Sequence, residues 1–183
     1  MGNRLQGSID LPLCEQGKLE ALNLLSTMER FGFDRIVSSP YQRALQTARI
    51  YTEHLDVPLE IHAGLRELDH GDWEGQKIED LLDADDSGYQ QWLADATSIE
   101  IPNGSETMQM AQQRVVQAVV EIANIYRNEK ILVVLHKHIK ALLYCRLKDV
   151  DISRFGKQID ESVAPVEVTF TQLCRLSGNL VSC

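Results

Sequence analysis

The chain has 183 residues, of which 44% are hydrophobic, enough for one domain with a sizeable core. Acidic residues outnumber basic ones by 27 to 18, for a formal net charge of -9, so no broad basic surface is available to nucleic acid or an anionic membrane. No apolar run approaches the roughly 20 residues of a membrane span, and the first residues lack a secretory pattern. We expect a single soluble, cytoplasmic domain over residues 1–183.

The cysteines are scattered, without the spacing of a zinc site or of a disulfide framework. They are Cys14, Cys145, Cys174 and Cys183. We expect ordinary reduced thiols, and neither a metal nor a cofactor is predicted.

The first third of the chain alternates between helical and strand patterns. Apolar residues at helical spacing predict a helix over residues 15–31, which Gly32 ends. A short strand over 34–38, a helix from Pro40 to about Leu55 and a second strand over 58–61 follow. This order predicts an α/β fold with a parallel sheet covered by helices.

The pattern weakens between residues 65 and 101, where two short helical pieces, 77–82 and 89–94, stand among acidic and glycine-containing loops. This composition indicates a variable insertion or a lid. A long helix then ends near Arg127, and Asn103 and Ser105 are equal candidates for its N-cap.

The apolar run over residues 131–135 is typical of a strand buried on both faces, and it ends at His136. A helix over 137–147 follows, and the alternation over 165–170 predicts an edge or half-buried strand. Open α/β sheets bind ligands at the carboxyl ends of their strands, so His136 is a candidate site residue. The alternative is that His136 merely ends a strand.

Two further stretches carry possible chemistry. At 38–44, a helix start, two serine hydroxyls and Arg43 could together hold a phosphate or carboxylate, although an ordinary N-cap with a solvated arginine is the alternative. At 65–75, charged residues surround Trp73, and an apolar ring can raise the pKa of a carboxyl group such as Glu67 and make it a general acid. The alternative there is a solvated acidic loop.

Five segments in this order resemble the histidine phosphatase superfamily, the phosphoglycerate mutase-like clan. They are residues 4–13, 38–47, 65–75, 102–107 and His136. The resemblance implies a three-layer α/β fold with a mostly parallel sheet flanked by helices. It also implies hydrolysis of a small phosphorylated metabolite through a phosphohistidine, without a metal. Arg43 matches the phosphate-binding arginine, Glu67 the proton donor and His136 the second histidine. The short segment between Gly75 and Pro102 favours the small bacterial phosphatases, such as those acting on α-ribazole phosphate.

The chain departs from this family at two places. The family's first strand and its nucleophilic Arg-His-Gly loop would lie just before Asn3, so the first strand is expected to be missing and neighbouring strands to have unpaired edges. Lys137 stands where the family has a glycine, and one residue is missing before Ile139. A substitute nucleophile is not evident: His70 lies in the glutamate loop, and His138 is expected at a surface or pocket rim. The two remaining histidines, His54 and His62, flank a short strand.

Our leading hypothesis is a phosphatase of small phosphomonoesters in the full-length protein. The alternatives are a non-catalytic remnant or pseudoenzyme that at most binds anions, and phosphoryl transfer of the phosphoglycerate mutase type. A nucleotide-binding Rossmann domain is disfavoured because the sequence has neither GxGxxG nor a P-loop.

Overall fold

A computed structural model describes residues 4–84, 88–161 and 166–176 of the chain. These residues form α-helices and short strands, with 3₁₀ turns between some of them. In chain order the elements are α1 Glu15–Asn23, α2 Leu25–Phe31, β1 Arg35–Ser38, α3 Gln42–Leu55, β2 Leu59–Ile61, α4 Ile78–Asp83, α5 Tyr89–Ala94, α6 Met108–Ile125, β3 Ile131–Val134, α7 Lys137–Leu147, α8 Phe155–Glu161 and α9 Phe170–Leu176.

The three strands form one parallel sheet in the order β2-β1-β3. In β1, Ile36 lies opposite Leu59 of β2, and Arg35 lies opposite Ile131 of β3. Parallel neighbours need a long crossover connection, and α3 provides the one between β1 and β2. The parallel sheet predicted from the alternation of helices and strands is confirmed.

Two apolar clusters cover the two faces of this sheet. Ile36 packs in the smaller cluster with residues of α1, α2 and α3, whereas Val37 packs in the larger cluster with residues of α6 and α7. The residues of β3 alternate between the clusters in the same way, because successive side chains of a strand point to opposite faces. The result is the three-layer arrangement that the resemblance implies.

β3 lies at the edge of the sheet, and no strand among the described residues pairs with its outer side. All four of its residues are half-buried, although both of its faces are covered. The sequence pattern predicted a strand buried on both faces, and the open edge accounts for the exposure that remains. An open edge agrees with the unpaired strand edges that the resemblance implies.

The predicted helix over residues 15–31 is wrong in one respect, because it is broken at Leu24. The Leu24 N–H donates to the Ala21 carbonyl at 3.2 Å, three residues back instead of four, and α2 starts from there. After the break, the side chains of Leu25 and Met28 pack in the smaller apolar cluster. Leu19 is left 55% exposed, so the predicted apolar stripe is not continuous.

The predicted strand over residues 165–170 is also wrong over its described part. Residues 166–169 form no strand and Phe170 begins α9, while Pro165 lies outside the described residues. The Thr169 N–H donates to the Gln172 side-chain oxygen at 2.8 Å, and the Thr169 hydroxyl accepts from the Gln172 N–H at 3.3 Å. These reciprocal bonds form a capping box, which starts a helix.

Several large side chains from the described residues of the 65–101 segment belong to the core. Its helices α4 and α5 occur where short helical pieces were predicted. Trp73, Tyr89 and Trp92 belong to the larger apolar cluster, and Trp92 is completely buried. These buried aromatic rings pack this part of the segment into the core.

The start of α6 also differs from the prediction. Its N-cap is Thr107, whose hydroxyl accepts from the Met110 N–H at 3.2 Å, rather than Asn103 or Ser105. Asn103 instead takes a left-handed conformation, with φ of 55°. The helix ends at Ile125, two residues before the predicted end.

Candidate active site

A pocket of about 520 Å³ opens at the carboxyl end of β3. Its wall combines charged and imidazole side chains with apolar ones. It is lined by Arg4, Leu5, Gln6, Gly7, Arg43, Glu67, Ile78, Tyr89, Leu93, His136, Lys137, His138, Gly156 and Ile159. The three predicted site residues, Arg43, Glu67 and His136, therefore lie in one pocket.

Arg43 lies on the first turn of α3, and its guanidinium reaches the segment before α1. Nη1 donates to the Ile9 carbonyl at 2.9 Å and Nη2 to the Gly7 carbonyl at 2.8 Å. Burial lowers the pKa of Arg43 from its ordinary value, and the charge of Glu67 acts in the opposite direction. Two hydrogen bonds use only part of a guanidinium's five N–H donors, so others are left for a ligand.

The predicted anion site at the start of α3 is filled by protein groups. The Gln42 N–H donates to the Asp10 carboxylate at 2.6 Å, and the Tyr41 N–H donates to the Ser39 hydroxyl at 3.3 Å. A carboxylate is favoured at a helix N-terminus for the same reason as a phosphate. Of the predicted anion-binding groups, Arg43 is therefore the one that lines the pocket.

His136 follows β3 and is the N-cap of α7, as the strand pattern predicted. Its Nε2 lies 2.7 Å from the Ser39 hydroxyl oxygen, and its ring is 5.5 Å from the Tyr41 ring. Burial lowers the pKa of His136 to about 4, so the ring is neutral near pH 7. Lys137 adopts helical dihedrals and has no positive φ, so its replacement of a glycine leaves His136 at the pocket without strain.

The carboxylate of Glu67 is buried, with 5% of the residue exposed. It accepts hydrogen bonds from the N–H groups of Leu68 at 3.0 Å, Ile139 at 3.0 Å and His138 at 3.2 Å. Burial alone would raise the pKa of Glu67, but the hydrogen bond from the His138 ring, the charges of His138 and His136 and the Leu68 N–H hold it well below the usual range. The pKa of Glu67 is therefore lowered instead of raised as expected, because the His138 side chain stabilises its ionised form.

Two further histidines, one in the pocket wall and one behind it, contact each other. His70 is completely buried, and its Nε2 lies 3.0 Å from Nδ1 of His138. Burial lowers the pKa of His70 to about 3. His138 is 9% exposed and lines the pocket, so its expected position at a surface or rim is corrected to the pocket wall. His70 does not line the pocket, which agrees with its rejection as a nucleophile.

The other carboxylates of the 65–75 segment hold neighbouring loops together. Glu74 accepts from the Ser8 hydroxyl at 2.8 Å and from the His70 N–H at 3.0 Å. Asp69 accepts from the N–H groups of Gly71 and Ser105. These bonds join the glutamate loop to the segments before α1 and before α6, so this stretch is not a freely solvated acidic loop.

No group of three or more His, Cys, Asp or Glu residues in the described part of the chain could hold a metal ion. None of the described helices is long and apolar enough to cross a membrane.

Comparison with known proteins assigns the family. The sequence profile of the histidine phosphatase superfamily (branch 1) matches residues 1–172. The chain belongs to the histidine phosphatase superfamily. The resemblance drawn from the five sequence segments is thereby confirmed, and the chain is a member of a family of phosphatases.

Relatives in this superfamily are similar over most of the chain. Phosphoserine phosphatase 1 of Hydrogenobacter thermophilus is 30% identical over 152 residues, which are 83% of this chain and 72% of that protein. The adenosylcobalamin/alpha-ribazole phosphatase of Escherichia coli is 32% identical over 141 residues, 77% of this chain and 69% of that protein.

Solved structures of the superfamily share the fold. Bacillus stearothermophilus YhfR is 27% identical, with a TM-score of 0.76 over 91% of this chain and 79% of that chain. The alpha-ribazole phosphatase from Shigella flexneri is 29% identical, with a TM-score of 0.68 over 87% of this chain and 76% of that chain.

Proposed function

We propose that the full-length protein hydrolyses small phosphomonoesters through a phosphohistidine intermediate. The observation that carries this proposal is the pocket that brings Arg43, His136 and Glu67 together at the carboxyl end of β3. Phosphoryl transfer depends on positioning and on neutralising the charge of the phosphoryl oxygens, and a guanidinium next to a histidine supplies both.

The charge of the pocket supports an anionic substrate. The chain as a whole has a net charge of -9, yet Arg4, Arg43 and Lys137 line the pocket beside one carboxylate, that of Glu67. A local excess of cations in an acidic protein attracts small anions without attracting nucleic acid. The volume of about 520 Å³ is that of a metabolite site, so we expect a small phosphorylated substrate.

The residue roles follow from this proposal. Arg43 binds the phosphoryl oxygens, and His136 contacts them as the second histidine, with its ring held by Ser39. The phosphate-accepting histidine is that of the superfamily's Arg-His-Gly motif, which the described residues do not contain. Glu67, which lines the same pocket, is the proton donor to the leaving oxygen, the role that the resemblance implies.

Release of phosphate from a panel of small phosphomonoesters tests the function. The full-length protein should hydrolyse at least one of them, and Arg43→Lys should lower kcat/KM by about 100-fold, because lysine keeps the charge but loses the planar fork. Arg49→Lys is the matched control, since Arg49 is exposed on the same helix. Equal activity of the two variants would remove Arg43 from the site.

One observation favours a second function, the binding of anions without turnover. The ionised state of Glu67 and the carbonyl contacts of Arg43 suit a pocket that holds phosphate but has no acid to release a leaving group. Calorimetry with inorganic phosphate separates the two: binding that depends on Arg43, in a full-length protein that hydrolyses none of the panel, would favour this alternative.

A further inference from the structure

We propose that the substrates of this pocket are phosphomonoesters of apolar alcohols, whose alkyl part packs against a wall formed by Ile78, Tyr89, Leu93 and Ile159. This inference rests on the proposed phosphatase function and deepens it, because it names the class of alcohol that leaves. The four residues of this apolar wall line the same pocket as Arg43, Glu67 and His136.

The two kinds of side chain in the pocket come from different elements. Arg43 lies on α3, Glu67 lies in the 65–75 segment and His136 lies at the start of α7. The apolar wall comes instead from α4, α5 and α8. A phosphomonoester of an apolar alcohol has the same division, since its phosphoryl group is charged and its alkyl part is not. We therefore place the phosphoryl group at Arg43 and the alkyl part against the apolar wall.

Helical spacing brings the residues of the apolar wall to common helix faces. Tyr89 and Leu93 are four residues apart on α5, and Gly156 and Ile159 are three residues apart on α8. Residues at these spacings are neighbours on the surface of a helix. The two helices meet at Gly156, where a Cβ atom would lie 1.9 Å from the Leu93 carbonyl oxygen. The apolar wall therefore continues from α5 to α8.

The apolar wall is held in place by the core. The Tyr89 ring is buried, and its centroid lies 5.3 Å from that of Trp73 and 5.7 Å from that of Trp92. Ile78 and Leu93 are only half-buried, although both pack against the larger apolar cluster. Both line the pocket, so an alkyl group bound there would cover apolar surface that water otherwise contacts.

The pocket is larger than a phosphoryl group requires. Its volume is about 520 Å³. The five heavy atoms of a phosphate would fill roughly 150 Å³ if each took the share of one water molecule in the liquid, about 30 Å³. Most of the pocket is therefore left for the alcohol.

The pocket is poorly suited to an alcohol with many hydroxyl groups. Glu67 is the one carboxylate that lines it, and it already accepts hydrogen bonds from three backbone N–H groups. A carboxylate has about four acceptor positions, so the hydroxyls of a polyol would compete with the leaving oxygen for the last one. Hydroxyls against Ile78 or Leu93 would lose their hydrogen bonds to water without replacement. We expect polyol phosphates to be poor substrates.

A series of linear alkyl phosphates tests the apolar wall in the unaltered full-length protein. The leaving oxygens are nearly equal in basicity from ethyl phosphate to hexyl phosphate, so differences in rate report contacts of the alkyl chain. We expect kcat/KM to rise about three- to fourfold for each added methylene, because each one buries apolar surface. Sorbitol 6-phosphate matches hexyl phosphate in carbon number, and its kcat/KM should be about 100-fold lower.

A variant of Leu93 separates the apolar wall from the phosphoryl site. Leu93→Ala should lower kcat/KM by about 10-fold for hexyl phosphate and by less than about twofold for ethyl phosphate, because only the longer chain reaches this side chain. Leu55→Ala is the matched control, since Leu55 is also a half-buried helical leucine but packs in the smaller apolar cluster, away from the pocket lining. It should leave both substrates unaffected.

The outcomes distinguish this proposal from the proposed function. Hydrolysis of ethyl phosphate with no gain along the series, or a preference for sorbitol 6-phosphate, would overturn the apolar class of substrate alone. An equal loss for both alkyl phosphates in Leu93→Ala would overturn the contact between Leu93 and the alcohol. Absence of hydrolysis of any phosphomonoester by the unaltered protein would overturn this proposal together with the proposed function.

Discussion

The Glu67 carboxylate is surrounded by donors that come from two parts of the chain. Leu68 provides the next N–H along the chain, while Ile139 and His138 provide the first N–H groups of α7, about 70 residues away in sequence. The N-terminus of a helix favours a negative charge, so this contact outweighs the cost of burying the carboxylate. At this scale, function and stability depend on the same side chain.

We expect Glu67→Gln to lower the free energy of unfolding by about 1–3 kcal/mol at neutral pH, because buried N–H groups lose an ionised acceptor. The folded pKa of Glu67 lies below that of the unfolded chain. Its contribution is therefore complete above the unfolded pKa of about 4.3 and is lost as the pH falls below it. The variant should be less sensitive to acid than the unaltered protein in this range.

Denaturant titrations at several pH values measure both effects. Glu79→Gln is the control, since Glu79 is exposed and its bond of 3.0 Å to Lys77 is a surface ion pair worth little. If Glu67→Gln were as stable as this control at pH 7, the carboxylate would not be bound as the structure describes.

At the scale of elements, the turn at Gly71 joins the glutamate loop to the segment before α6. Gly71 has a positive φ of 50°, and a Cβ atom there would lie 2.0 Å from the Pro102 carbonyl oxygen. Asp72 donates its N–H to that carbonyl at 2.9 Å. The backbones approach so closely that only a glycine fits without displacement.

We expect Gly71→Ala to destabilise the protein by about 3 kcal/mol, because the change adds a steric conflict to an unfavourable φ. Gly32→Ala separates these two causes, since Gly32 also has a positive φ, of 60°, but nothing lies within 4 Å of the added atom. Gly32→Ala should cost about 1 kcal/mol. Equal unfolding free energies for the two variants would show that the close approach to Pro102 is absent.

The sequence predicts those elements whose signal is local. The long apolar face of α6 and the aliphatic run of β3 depend on few outside contacts, and both occur where they were predicted. Residues 166–169 carry a strand pattern but form no strand, because a strand also needs a partner, and the Thr169 capping box favours a helix instead. The spacing of hydrophobic residues alone does not show whether the strand or the helix forms.

The candidate site likewise has some features that the sequence predicts and others that depend on tertiary contacts. His136 follows one strand and Arg43 follows another. Because these strands are parallel, the sequence alone indicates that both residues lie at the same end of the sheet, where the pocket is. The contact between His70 and His138 joins residues 68 positions apart. Neither local pattern contains a signal for this contact, so it emerges only from the tertiary structure.

At the scale of the whole molecule, the pocket lined by basic side chains lies at the carboxyl end of β3. In a chain with a net charge of -9, two arginines, one lysine and two histidines line the pocket at the carboxyl end of β3. β3 is the edge strand of the sheet, and His136 follows it directly and lines that pocket. The described residues thus form an acidic α/β protein with a local pocket lined by basic side chains.

Trapping of the covalent intermediate tests the central claim most directly. The full-length protein is mixed with a hydrolysed phosphomonoester, quenched in alkali during turnover, and digested for mass spectrometry. We predict a phosphoryl group on a histidine, stable in alkali and lost in acid, in amounts that fall in Arg43→Lys. Turnover of substrate with no phosphohistidine at any time point would contradict the account.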